Sequence, residues 1–102
     1  MKVKINRNAA KELKKMLESE QGQGKMVRVY VSEQHGDHAH YDLILDTPTE
    51  FDEIVKTDKD IDVLLDSREE ELDGVWIQYF YVPKEEMIIT NPVRWKGIHH
   101  NH

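Results

Sequence analysis

All six histidines of this 102-residue chain fall in two short segments, His35, His38 and His40 in one and His99, His100 and His102 in the other. Imidazole is the side chain most readily recruited by a metal near neutral pH. Together with carboxylates it suits divalent transition metals such as iron or zinc. If the chain around His38 is extended, alternation puts His38, His40 and Asp42 on one face. The six histidines are therefore the candidate ligands, and the expected cofactor is a divalent transition metal, Fe or Zn, held reversibly. A solvated polar loop and a polar chain end would also be rich in histidine, because composition alone does not specify a site. The chain has no cysteine. Disulfides, thiolate metal sites and thiol catalysis are thereby excluded.

Motifs for catalysis are incomplete. His38-Ala39-His40 has the H-x-H form of a cupin metal site, which needs a glutamate a few residues on and a histidine from a later strand. Asp42 is the nearest carboxylate, and no histidine falls between His40 and His99. Gly22-Gln23-Gly24-Lys25 follows a helix pattern and has Met26 where a phosphate loop needs Ser or Thr. Neither H-E-x-x-H nor G-x-S-x-G occurs. The expectation is a protein that is not an enzyme.

Lys and Arg total 14 against 20 Asp and Glu, a net charge of −6 with His neutral. Such a surface repels phosphate backbones and anionic lipid, so neither nucleic acid nor membrane is an expected partner. No segment approaches the roughly 20 apolar residues of a membrane span. Met1-Lys2-Val3-Lys4-Ile5 lacks the apolar stretch of a signal peptide, which leaves the cytoplasm as the expected compartment.

The elements that must position the histidines can be read from periodicity. Val3 and Ile5 alternate with lysines in a short strand, and Asn6 is placed to cap a helix over 7–19. That helix should pack through Leu13, Met16 and Leu17 and end at the Gly22 and Gly24 turn. Val27, Val29 and Val31 define a strand. A polar loop is expected over 33–37, with strand resuming over 38–45. Further strands are expected over 53–57, 61–65, 75–82 and 87–90. A helical turn over 67–72, capped by Ser67, should separate the strands over 61–65 and 75–82. One helix before many short strands implies a mainly β fold, a compact, mostly antiparallel, sandwich-like pair of sheets with one N-terminal α-helix and a short second helical turn. At this length it forms one domain, over 1–92. The tail 93–102, with Trp95 as a potential anchor, is expected to be mobile.

Several strings resemble the HesB/IscA family of A-type iron–sulfur carriers. They are Asn6 to Leu13 with its Ala9-Ala10 pair, Val27-Arg28-Val29-Tyr30-Val31, and Ile61-Asp62-Val63-Leu64-Leu65-Asp66. The Leu72-Asp73-Gly74 turn and the ending Met87-Ile88-Ile89-Thr90-Asn91-Pro92 complete the set. The resemblance implies a HesB-like fold, protein partners in iron–sulfur assembly and a homo-oligomer. It also implies a cysteine near Gly36 and a C-G-C triplet near His100-Asn101-His102, and this chain has neither. Even clusters with two histidine ligands keep two cysteines. No conventional iron–sulfur cluster is expected here. The histidine segments occupy the places of the family's cysteines.

Overall fold

Asn6 joins the two ends of the architecture. Its side-chain oxygen accepts from the Ala9 amide at 2.8 Å, capping the helix α1 (Arg7–Glu18), and accepts from the Tyr79 amide at 3.1 Å. The helix begins where one of its orphan amides is satisfied, and the same side chain ties that start to a strand 73 residues away. The computed structural model describes residues 1–92.

Among the described residues there are seven strands: β1 (Val3–Ile5), β2 (Met26–His35), β3 (His38–Asp46), β4 (Asp52–Lys56), β5 (Asp62–Asp66), β6 (Val75–Phe80) and β7 (Glu86–Thr90). They form two mixed sheets, ordered β1-β6-β7 and β3-β2-β5-β4. Pairs β2–β3, β4–β5 and β6–β7 are antiparallel, whereas β1–β6 and β2–β5 are parallel. The mainly β, two-sheet expectation holds, with the parallel pairs supplied by chain segments distant in sequence.

Alternation decides what each sheet buries. Val27, Val29, Val63, Leu65 and Val55 line the inner face of the four-stranded sheet, and Val75, Ile77 and Ile5 face them from the other. Ala9, Ala10 and Leu13 of α1 close the core, with Leu17 partly buried against it. Met16 departs from the expected packing and is 37% exposed, because the small Ala9-Ala10 surface lets the helix sit on the neighbouring stripe. Helix α1 ends at Glu18, before the expected glycines, and a 3₁₀ turn over Glu20–Gly22 follows; the missing side chain of Gly22 is required, because a Cβ there would lie 2.3 Å from the Met16 carbonyl oxygen.

Other boundaries moved for local reasons. The strand expected over 75–82 stops at Phe80. The helical turn is a 3₁₀ turn, Glu70–Leu72, and Ser67 does not cap it. Instead the Ser67 hydroxyl donates to the Phe51 carbonyl at 2.7 Å, fastening the entry to β4. The 33–37 loop is absent: β2 runs on to His35, leaving Gly36 and Asp37 as a two-residue turn. Gly36 has φ of +55°, the conformation a type II′ hairpin needs at its first central position.

Candidate metal centre

The β2–β3 hairpin carries the first histidine segment, and its register is set by two conflicting demands. The turn pairs His35 with His38, Gln34 with Ala39 and Glu33 with His40. The core pairs Val31 with Tyr41 and Val29 with Leu43. Between these sets β2 has one residue more than β3, and Ser32 is absorbed as a bulge. Its hydroxyl donates to the His40 carbonyl at 3.2 Å. In an unbroken strand Glu33 and His35 would share the inward face of Val27, Val29 and Val31. The bulge reverses the parity and brings them to the outward face, where His38 and His40 stand.

The result is a three-residue cluster at the exposed hairpin end. One ligand atom from each of Glu33, His35 and His40 lies within 4.8 Å of the others. His35 Nε2 is 3.1 Å from Glu33 Oε1. The rings of His35 and His40 meet edge to face, with centroids 5.8 Å apart and planes at 83°. All three side chains are exposed, so rotamer adjustment can draw them toward the roughly 3.4 Å ligand separations of a tetrahedral ion with about 2.1 Å bonds. Two imidazoles and a carboxylate are a donor set for a single borderline ion.

Of the histidines singled out from sequence, His35 and His40 belong to this cluster. His38 is exposed beside it, in register with His35 but outside the three-residue group. His99, His100 and His102 lie outside the described residues. Glu33 was missed by the sequence reading. The signal that would have found it is the Gly36-Asp37 turn, since counting back from that turn pairs Glu33 with His40.

The root of the tail is fixed close to this hairpin strand. Asn91, 7% exposed, donates from Nδ2 to the carbonyls of Glu71 at 2.8 Å and Asp73 at 2.7 Å. The Tyr41 hydroxyl donates to the same Glu71 carbonyl at 3.0 Å. One backbone oxygen thus links the residue after His40 to the residue before Pro92.

Two mixed sheets and a single long helix among the described residues define a small β protein of the IscA-like fold class. A crystal structure of IscA with a [2Fe-2S] cluster superposes with a TM-score of 0.70, covering 88% of this chain and 85% of that one at 21% identity. The likeness is one of fold. No protein-family model matches the sequence, and no curated protein matches it. A [2Fe-2S] cluster does not fit the donors of this chain, which has no thiolate.

Proposed function

We propose that this chain is a non-enzymatic, IscA-like protein of iron–sulfur cluster biogenesis or metal homeostasis that binds a single divalent transition metal, iron or zinc, in place of a cluster. The convergence of Glu33, His35 and His40 within 4.8 Å is the observation that carries this reading. Three protein ligands leave a coordination position open. His38, His99, His100 and His102 are the candidates to fill it. The length of the tail supports this assignment: His99 is seven Cα steps from Pro92, a reach of at most about 25 Å when extended. Open coordination and exposed ligands favour reversible loading. The fold favours protein partners in the same process and a homo-oligomer. No described helix is long and apolar enough to cross a membrane, in keeping with the cytoplasm as its place of action.

The test is metal analysis and zinc titration on protein purified without a chelating resin. One ion per chain is expected, with binding lost on joint His35→Ala and His40→Ala replacement and weakened by deletion of 99–102. Anaerobic reconstitution with iron and sulfide should leave no stable chromophore. If the tail deletion alone abolishes binding while the hairpin variant binds normally, the site is a chelating tail and the proposal fails.

A second reading, a metal-free interaction module that kept the fold, is favoured by the acidic outer sheet face.

A further inference from the structure

Charge is distributed unevenly along this acidic chain. Residues 1–15 hold six of its 14 cations and one acid, a net charge of +5, which leaves −11 on the rest. Folding keeps these cations together. Arg7, Lys11 and Lys14 are spaced by four and three residues, so they form one stripe on α1, and all three are exposed. Burial of Ala9 and Leu13 in the core fixes which way that stripe faces. Glu12, the one acid of the segment, is engaged elsewhere, by Lys15 at 3.4 Å and the Tyr81 hydroxyl at 2.7 Å.

The stripe borders a groove. Arg7, Lys11 and Lys14 form one bank, Ala10 lies between, and Asp58, Lys59 and Asp60 of the β4–β5 loop form the other bank. Asp58 is also a wall of an adjoining groove, where Val3 and Trp76 supply apolar surface and Lys2 and Lys4 supply charge. Lys4 Nζ lies over the Trp76 ring, 4.5 Å from its centroid. Within the pair of grooves Asp58 takes Lys59 at 3.0 Å. Lys2, Lys4, Arg7, Lys11 and Lys14 form no ion pair among the described residues. Against these five cations stand only Asp60 and Asp73, and the Asp73 carboxylate already accepts from the Lys2 amide at 2.8 Å. Both grooves therefore carry a positive excess on a chain that is otherwise negative.

Such a patch attracts anions, and the rest of the molecule decides which. The net charge of −6 opposes long polyanions such as RNA or an anionic bilayer. A short acidic segment escapes most of that repulsion and can also place a side chain against Trp76 and Val3. Its spacing fits: Arg7 to Lys14 spans about 10.5 Å along the helix, close to the roughly 10 Å between residues three apart in an extended strand. A second copy joined by a two-fold axis would set basic stripe against basic stripe, which costs free energy. We infer that the two grooves dock an acidic segment of a different protein. Its carboxylates meet Arg7, Lys11 and Lys14, and an apolar side chain enters the groove at Trp76. The inference is independent of metal binding.

The test uses the full chain in EDTA, so that metal occupancy plays no part. The probe is a short peptide of alternating glutamate and leucine, followed by NMR shifts and titration. Shifts should concentrate in the amides from Arg7 to Lys14 and in the Trp76 indole N–H, and binding should weaken as salt rises. Joint Arg7→Gln, Lys11→Gln and Lys14→Gln replacement, which keeps helix propensity, should weaken binding about tenfold and flatten its salt dependence. Joint Lys25→Gln and Lys84→Gln replacement, at positions lining neither groove, should leave it unchanged. Equal binding to the helix variant and the native chain would overturn the inference. Equal binding of a glutamate–serine peptide would remove the apolar anchor and overturn it too, as would tighter binding of an oligouridylate. Self-association in sedimentation that disappears in the helix variant would make a second copy the occupant. Peptide binding gained only on Trp95→Ser replacement would make the chain's own tail the occupant, and either result sinks the proposal.

Discussion

Glu33 stands directly across from His40 because Ser32, one residue before it, is left out of the β2–β3 register. That pairing makes Glu33 the one carboxylate in the three-residue cluster. Glu33→Gln should therefore lower zinc affinity about tenfold while leaving thermal stability unchanged, since the side chain is exposed. Binding requires deprotonated ligands, so affinity should fall as the solution is acidified. Calorimetric titration of both proteins at several pH values checks both statements.

Gly36 controls the same cluster through the backbone. A Cβ at this position would meet nothing within 4 Å, so the cost of Gly36→Ala comes only from φ of +55°. It should lower stability by about 1 kcal/mol. It should also weaken zinc binding, because a distorted turn loosens the pairing of His35 with His38 that aims both strands. Denaturant unfolding and zinc titration of the variant measure the two effects separately.

Leu13 and Met16 test the seating of the helix. Leu13 has no exposed surface and Met16 is 37% exposed. Leu13→Ala should cost about 2–5 kcal/mol, as other large-to-small core changes do, and Met16→Ala less than about 0.5 kcal/mol. Comparable losses in urea unfolding would mean that α1 is rotated from the orientation described.

Acid stability should depend on the Arg28 network. Arg28 donates to both oxygens of Asp52 at 2.6 Å and to Asp46 at 2.8 Å, and the Asp52 side chain is 1% exposed. The Arg28 hydrogen bonds hold Asp52 below the usual carboxylate range, while the Thr47 amide and then Arg28 do the same for Asp46. Arg68 lowers Asp66 to about 2. A carboxylate lowered by folding contributes its stability in full above its unfolded value, near 4, and loses it as pH falls through the folded value. Stability should therefore be flat above about pH 5 and decline between about pH 4 and pH 2. Asp52→Asn should cost about 2 kcal/mol at pH 7 and make that decline shallower, as urea midpoints against pH would show.

Much of the fold was legible because burial imposes a period. Val27, Val29 and Val31, or Val75 and Ile77, can satisfy a core only as strands, and Asn6 before an amphipathic run can serve only as a cap. Met16 was misplaced because a periodic stripe does not reveal where its centre lies, and here Ala9 and Ala10 shift it. The strand pairings were not legible either: nothing local in Val3 or Val27 names the parallel partners Val75 and Val63.

For the candidate site, composition by itself determined the chemistry: without cysteine there is no thiolate ligand, and six clustered histidines leave imidazole as the available donor. Tertiary structure decided which of them meet. Simple alternation sends Glu33 and His35 inward with the valines and away from His40. The short Gly36-Asp37 turn and the buried Val31–Tyr41 pair cannot both be kept without one extra residue in β2. Ser32 absorbs that mismatch, and the reversal of parity beyond it gathers Glu33, His35 and His40 on one face. A strand's own sequence sets its alternation, but a bulge is fixed by the register of two strands at once, and that exists only in the folded chain.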